Sequence, residues 1–181
     1  FFGWLGQERG IPLSSQDQLR LVSALVADPN AGIPWALLEA QSPASTAALE
    51  ILAKHPREDT RQIVASSGHA SGSVLKLLAK DKSQRVRLVA AGNPSTPPDA
   101  LTALARLADS GIRCAVAGNP SAPLPLLEKL AADTDTGVCM EVAENSAAPQ
   151  ALRVAILDRM ALDFDIEVIS RVSENPATRF A

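Results

Sequence analysis

Residues 86–111 read VRLVAAGNPSTPPDALTALARLADSG, and residues 112–137 read IRCAVAGNPSAPLPLLEKLAADTDTG. The two stretches are identical at twelve positions when they are aligned without a gap. A unit as short as this cannot bury its own apolar face, so successive copies have to stack and share a core. The sequence therefore predicts a repeat array in which neighbouring copies stabilise one another.

The same period runs beyond these two copies. Three apolar columns recur at this period, and within each copy their members are spaced i, i+3 and i+4. That spacing places them on one face of a helix, so we predict that they form a continuous core. The columns are Leu49, Leu75, Leu101 and Leu127; then Leu52, Leu78, Leu104 and Leu130; and then Ala53, Ala79, Ala105 and Ala131.

A second, shorter apolar segment precedes each of these helices. We predict that each repeat consists of a short helix of about two turns at most, partly 3₁₀, then a corner, and then a longer helix of about three turns. Aromatic residues make up only 3% of the chain and tyrosine is absent, which favours close-packed helices over sheets. The inward positions predicted for the short helices are Ile63 with Val64, Val89 with Ala90, and Ala115 with Val116.

Asparagine occupies the predicted corner in four copies, at Asn93, Asn119, Asn145 and Asn175, and proline follows it in all but the third of them. Asparagine tolerates left-handed geometry at a helix end, and its amide can satisfy nearby backbone groups, whereas proline cannot continue the first helix. Stacked copies would place these asparagines in a ladder. We therefore predict that they are structural and not catalytic.

The pattern weakens at both ends of the chain, as capping repeats do. The interval between the last two corner asparagines is longer than the period, and the chain stops soon after Pro176. This leaves Val168 and Val172 on an apolar end that further chain, the segment 162–166 or a second copy would have to cover, so homo-association through the C-terminal end is one expectation. We predict an N-terminal lead-in or cap over 1–14 and a single array over 15–181, with units near 42–67, 68–93, 94–119, 120–145 and 146–175.

The repeat follows the pattern V-R-x-x-V/A-A-x-N-P-x-x-P-x-x-x-L-x-x-L-A-x-D, which resembles the leucine-rich repeat variant family. The resemblance extends over roughly residues 42–175 and is best in 86–137. It implies a right-handed superhelix of alternating helices without a sheet, and binding in preference to catalysis. The predicted fold class is therefore all-α, a right-handed α-solenoid of two-helix repeats of about 26 residues. A HEAT-like helical solenoid is the competing description, because these copies are somewhat long for the family.

No cofactor, metal site or catalytic centre is predicted. The founding member of the family carries an iron–sulfur module ahead of its repeats, whereas residues 1–41 of this chain contain no cysteine. Cys114 and Cys139 lack the spacing of metal and redox motifs, so we expect free thiols. His55 and His69 lie at a repeat boundary and at a corner, and the repeat places no nucleophile beside either of them.

Charge varies along the array more than any other property. Residues 51–90 hold eight basic and three acidic side chains, whereas residues 91–181 hold seven basic and twelve acidic ones. Such an imbalance indicates either a solvated face with ion pairs between repeats or a docking edge for an acidic partner. Nucleic acid is disfavoured because the isoelectric point is near 5.4 and no aromatic side chain accompanies the basic ones.

The candidate partner-binding edge consists of Arg61, Arg87, Arg113, Lys80 and Arg85. The first three recur at the period of the repeat, and we expect them to stack as a solvent-exposed column. The predicted function is a non-enzymatic protein–protein interaction scaffold, cytoplasmic and bacterial, that binds an acidic protein along the repeat surface. The alternative is a HEAT-like solenoid that binds nucleic acid through the basic edge. No apolar run approaches the ~20 residues of a membrane span, so we expect no membrane association.

Overall fold

The computed structural model describes residues 43–162, together with Arg20 and Ala24. This part of the chain contains nine α-helices and no strand, so the predicted all-α fold is confirmed and is consistent with a helical-repeat solenoid. The helices are α1 (Pro43–Leu52), α2 (Glu58–Ser66), α3 (Gly72–Leu78), α4 (Gln84–Gly92), α5 (Pro98–Leu104), α6 (Ser110–Ala117), α7 (Leu124–Leu130), α8 (Thr136–Glu144) and α9 (Gln150–Leu162).

The predicted period is visible in the positions at which the helices begin. The first helices of successive repeats, α2, α4, α6 and α8, begin at residues 58, 84, 110 and 136, and the second helices α3, α5, α7 and α9 begin at residues 72, 98, 124 and 150. Both series advance by the same constant interval, which equals the period of the sequence. The apolar columns and the corner residues therefore recur in the same structural context in each repeat.

The relative lengths of the two helices differ from the prediction in three repeats, whereas α9, with 13 residues, is longer than α8 as predicted. The first helices span eight or nine residues, whereas α3, α5 and α7 span seven residues each. Side chains that cap α4, α6 and α8 start these helices before their first apolar residue, as when the Asp109 carboxylate accepts the Ile112 N–H. The second helices end early because their last turn tightens, as when the Asp81 N–H donates to the Leu78 carbonyl.

The chain divides into two compact units, Phe1–Ser95 and Thr96–Ala181, called here the N-terminal half and the C-terminal half. In the N-terminal half α2 packs against α4, and in the C-terminal half α8 packs against both α6 and α9. First helices therefore pack on first helices within each half.

The predicted leucine columns form the core, since all eight of these leucines are buried. In the alanine column only Ala105 is half-buried. The inward positions of the first helices were only partly predicted, because Ile63, Val89 and Ala115 are half-buried. The residues that are fully buried there form three columns, which are Val64, Ala90, Val116 and Val142; then Ala65, Ala91, Ala117 and Ala143; and then Val86, Ile112 and Val138. Alanine at the second column lets neighbouring first helices approach closely.

Four predictions concern residues outside the described part of the chain. They are the lead-in over 1–14, the start of the array at Ser15, the corner at Asn175, and the apolar end with Val168 and Val172. These stay predictions.

Candidate functional site

Arg61, Arg87 and Arg113 occupy equivalent positions on α2, α4 and α6, but they do not form a solvent-exposed column. Arg61 is only 4% exposed, and the other two are half-buried. The prediction that these three side chains are exposed is therefore wrong. The physical reason is that each guanidinium bonds to the loop that precedes its own helix, where backbone carbonyls accept its hydrogens.

Arg61 joins two inter-repeat loops. Its Nε and Nη2 donate to the Asp81 carboxylate at 2.7 and 3.0 Å, and its Nη1 donates to the His55 and Pro56 carbonyls at 2.8 and 2.9 Å. Asp81 lies in the loop between α3 and α4, while His55 and Pro56 lie in the loop between α1 and α2. One guanidinium therefore holds two equivalent loops side by side.

Arg113 makes the same contacts in the C-terminal half. Its Nε and Nη2 donate to Asp133 at 2.7 and 3.0 Å, and its Nη1 donates to the Leu107 and Ala108 carbonyls at 3.1 and 2.9 Å. We call Arg61–Asp81 and Arg113–Asp133 the Arg–Asp clamps. Bidentate pairs of this kind are among the stronger hydrogen-bonded contacts in proteins because both partners are charged and the geometry is fixed.

The clamps lower the pKa of both carboxylates. For Asp133 the main cause is the hydrogen bond from Arg113, which outweighs the opposing effect of burial. For Asp81 burial alone would raise the pKa, but the hydrogen bonds from Arg61 and from the Ser83 N–H outweigh it and hold the pKa below its usual range. Both aspartates therefore carry a negative charge that is neutralised inside the repeat.

Each clamp has an arginine position and an aspartate position that recur at the period of the repeat. Two repeats depart from this pattern, and the first of them lies between the two clamps in the sequence. The position equivalent to Asp81 and Asp133 is Leu107 in that repeat. The Arg87 Nη1 still donates to the Asp81 carbonyl at 2.7 Å, but its buried Nε has no hydrogen-bond partner in the described chain. The carboxylate column is thus interrupted, while the loop contact made by Nη1 is retained.

In the last described repeat the arginine stands at the position that aspartate occupies in the clamps. Cys139 replaces the arginine, and Arg159 on α9 stands at the position equivalent to Asp133. The Arg159 Nη2 donates to the Ala131 carbonyl at 2.7 Å and lies 3.2 Å from the Cys139 sulfur. Cys114 and Cys139 are both free thiols. The buried Cys139 therefore fills a structural position of the repeat.

His55 occupies the position of Asp81 in the preceding repeat. It is 2% exposed, and its Nδ1 accepts the Arg57 N–H at 3.1 Å, just as an Asp81 oxygen accepts the Ser83 N–H at 2.8 Å. Burial lowers the pKa of His55, and the charges of Arg57 and Arg61 lower it further. The neutral imidazole thus caps a turn at this position.

The corner asparagines bond across repeats within each half. The Asn93 amide donates to the Ala65 and Ser67 carbonyls at 2.7 and 3.0 Å, and the Asn145 amide donates to the Ala117 and Asn119 carbonyls at 2.6 and 3.0 Å. All three described asparagines, Asn93, Asn119 and Asn145, are buried, and each side-chain oxygen accepts the N–H of the residue two positions later.

The backbone at Asn93 and Asn145 is not left-handed, although asparagine tolerates that geometry. Asn93 has φ −73° and ψ 123°, and Asn145 has φ −66° and ψ 122°. A following proline disfavours helical geometry in the residue before it, which explains the extended conformation of Asn93. Since Asn145 precedes serine and adopts the same conformation, the hydrogen bonds of the side chain also favour it.

Five exposed basic side chains of the N-terminal half lie in the loops that Arg61 joins and at the start of α4, apart from the exposed Lys76 on α3. We call this set the basic loop pair, and it consists of Lys54, Arg57, Lys80, Lys82 and Arg85, all exposed. Arg57 lies 3.8 Å from the exposed Asp59 carboxylate, whereas the Asp81 side chain is only 8% exposed. The acid of the second loop is therefore turned inward, and the surface of that loop is positive.

Only part of the predicted edge belongs to this surface. Lys80 and Arg85 are exposed, while Arg61 is buried in its clamp with Asp81. In the C-terminal half the positions equivalent to Lys80 and Lys82 are Ala132 and Thr134. The positive surface is thus a property of individual loops and not of the repeat as such.

The clamp, the corner amide and the apolar columns coincide most completely in the repeat that contains α6 and α7. Residues 111–135 match the leucine rich repeat variant family. This match supports the resemblance that the sequence shows over a longer stretch. The leucine rich repeat variant is a repeat scaffold and not a known enzyme family. Searches of curated proteins and of solved structures gave no significant match.

In residues 43–162, together with Arg20 and Ala24, no helix is long and apolar enough to cross a membrane. The same residues include no group of three or more histidine, cysteine, aspartate or glutamate side chains that could hold a metal ion.

Sequence reasoning missed Asp81 and Asp133, the acidic partners in the two clamps. The signal was present, because Arg61 and Arg113 are each followed by an aspartate 20 residues later. It was obscured because the acidic column is not constant, with His55 and Leu107 at two of its positions. The arginine and aspartate positions, compared repeat by repeat, predict the two Arg–Asp pairs.

Proposed function

We propose that the chain is a non-enzymatic interaction scaffold, and that its basic loop pair binds an acidic segment of a partner protein. Helical repeat proteins bind partners through exposed side chains that vary between otherwise equivalent positions. In this chain the recurring polar side chains are already bonded to other parts of the array, as in the Arg–Asp clamps and at the corner asparagines. Variable exposed side chains are therefore the ones available for a partner.

The observation that carries the proposal is the juxtaposition of like charges on the two loops joined by Arg61. Lys54, Lys80, Lys82 and Arg85 are exposed, and none forms an ion pair within the described chain. An exposed ion pair contributes only ~0–1 kcal/mol by itself. Several adjacent cations, however, raise the local concentration of an acidic ligand and its association rate, in a manner that depends on ionic strength.

The test uses a fluorescein-labelled peptide of glycine and glutamate, whose binding is measured by fluorescence anisotropy over a range of salt concentrations. We expect the double variant Lys80→Glu/Lys82→Glu to lose at least ~10-fold in affinity, since it reverses two adjacent charges. The control is Arg106→Glu/Lys129→Glu, which changes the net charge equally at two exposed residues of the C-terminal half. Equal losses in both variants, or no binding by the wild type, would show that the basic loop pair is not a specific site.

The alternative function, nucleic-acid binding, rests on the same cations, which would also attract phosphates. Residues 43–162 contain no phenylalanine, tyrosine or tryptophan. The described repeats therefore offer no aromatic platform on which bases could stack. For this reason the protein partner is the favoured proposal.

A further inference from the structure

Two exposed apolar side chains lie beside the basic loop pair. Ile51 on α1 is 36% exposed and Leu77 on α3 is 45% exposed. They are one period apart, as Leu49 and Leu75 are, and so occupy equivalent positions in successive repeats. A single exposed leucine is ordinary, but the recurrence of an apolar residue at the same position makes a surface with a defined pattern.

Each of these side chains is adjacent to a lysine of the basic loop pair. The Lys54 N–H donates to the Ile51 carbonyl, and the Lys80 N–H donates to the Leu77 carbonyl, both at 3.1 Å. Since these bonds close the last turn of each helix, the apolar side chain and the lysine are neighbours on the helix end. The structure thus presents two equivalent pairs, each with one apolar and one cationic side chain.

The Arg61 clamp holds the two pairs near each other. Its guanidinium bonds to the His55 carbonyl, one residue after Lys54, and to the Asp81 carboxylate, one residue after Lys80. The C-terminal ends of α1 and α3 are therefore fixed within the reach of one side chain. At the equivalent positions further along, Ala103 and Lys129 replace the exposed apolar residues.

From this arrangement we infer that the acidic segment bound by the basic loop pair also carries apolar side chains, which contact Ile51 and Leu77 while its carboxylates pair with Lys54 and Lys80. The inference rests on the proposed function and names the chemistry of the partner. A ligand with negative charge alone, such as polyglutamate or a nucleic acid, would satisfy the lysines but leave both apolar side chains in water. An amphipathic acidic segment would cover both kinds of side chain.

The test compares two labelled peptides of equal length and equal charge. Both contain glutamates at the same positions, and the intervening residues are leucines in one peptide and serines in the other. At about 0.15 M ionic strength we expect the leucine peptide to bind the wild type about three- to tenfold more tightly, because the exposed parts of two side chains become buried. The preference should disappear in Ile51→Ser/Leu77→Ser, whereas the serine peptide should bind both proteins equally.

Leu88→Ser is the matched control, since Leu88 on α4 is 40% exposed and is not part of the two pairs. It should leave the preference unchanged. If both peptides bind the wild type equally, the inference is wrong while the proposed function stands. If neither binds, the proposed function fails as well. Self-association that light scattering detects in the wild type and not in Ile51→Ser/Leu77→Ser would assign the surface to a second copy and would also overturn the inference.

Discussion

At the scale of single residues, Arg61 joins two loops of the N-terminal half through one guanidinium. It makes two hydrogen bonds to the Asp81 carboxylate and two to loop carbonyls. The side chains of Arg61 and Asp81 are only 5% and 8% exposed. Desolvation of the two charges offsets much of their attraction, so the pair itself contributes little net stability. Loss of one partner is costly because the other charge stays buried.

We therefore expect Arg61→Met to lower the free energy of unfolding by about 3–5 kcal/mol, as measured by urea denaturation. The control is Arg85→Met, which removes an exposed cation and should change stability by no more than about 0.5 kcal/mol. The double variant Arg61→Met/Asp81→Leu should recover part of the loss, because it leaves no unpaired charge. If Arg61→Met is as stable as the wild type, the clamp does not stabilise the repeat.

His55 predicts a dependence of stability on pH. Above the unfolded pKa of about 6.5 the imidazole is neutral in both states and contributes no pH dependence. Because the folded pKa is lowered, the unfolded state binds the proton first as the pH falls through this value, and stability decreases toward the folded pKa. Urea midpoints between pH 7.5 and pH 5.5 should fall for the wild type and for the exposed-site variant His69→Gln, but not for His55→Gln. A decrease that persists in His55→Gln would assign it to another group.

The aspartates of the two clamps predict a second loss of stability at lower pH. Their folded pKa values lie below the usual one, so their contribution is complete above the unfolded pKa of about 3.9 and is lost as the pH falls through the folded values. Acid titration of Asp133→Asn, followed by circular dichroism, should therefore show a smaller loss of stability below about pH 4 than the wild type does. An unchanged acid transition would contradict this assignment.

At the scale of helices and corners, the repeat is defined by how each helix ends. Ser67 occupies the position of Asn93 one repeat earlier, so comparing the two separates the role of the side-chain oxygen at the corner from that of the amide group. Its hydroxyl accepts the His69 N–H at 3.2 Å, as the Asn93 oxygen accepts the Ser95 N–H at 2.9 Å. Serine therefore supplies the local acceptor but not the two amide bonds to the preceding repeat.

Accordingly, Asn93→Ala should destabilise the protein by about 1–2 kcal/mol, because it leaves buried backbone groups without partners. Asn93→Ser should cost less, since the local acceptor is retained. Thermal and urea unfolding of both variants would measure the difference, with the acidic peptide as a binding probe. Full stability of Asn93→Ala together with loss of peptide binding would instead indicate that the asparagine contacts the partner.

The sequence predicted the features that depend on the period and missed those that depend on side-chain hydrogen bonds. The leucine columns and the corners follow directly from the repetition of apolar residues and of asparagine. The helix lengths were reversed in three repeats because caps such as Asp109 and the tightened turn at Asp81 set the helix ends, and apolar spacing does not report them. Arg61 was predicted to be exposed because its carboxylate partner lies 20 residues away, outside any helical spacing.

At the scale of the whole molecule, the chain has a net charge of −3, although residues 51–90 carry a clear excess of basic side chains. We expect duplex DNA to bind no more tightly than ~10⁻⁶ M at physiological salt, in the range of non-specific association. Fluorescence anisotropy with a labelled duplex, measured on the wild type and on Lys80→Glu/Lys82→Glu, would test this. Binding in the nanomolar range that the double variant abolishes would favour the nucleic-acid alternative over a protein partner.

Each kind of bond that joins successive repeats spans a constant number of residues in the sequence. A clamp joins residues 20 apart, and a corner amide reaches back over 26 and 28 residues. Each of these bonds begins in one copy of the repeat and ends in a neighbouring copy. A gene duplication of one full period would therefore keep the donor and acceptor positions in register at both of its junctions. A duplication whose length is not a whole number of periods would shift these positions out of register, so lengthening by whole periods is the route along which such an array can grow and stay folded at every step.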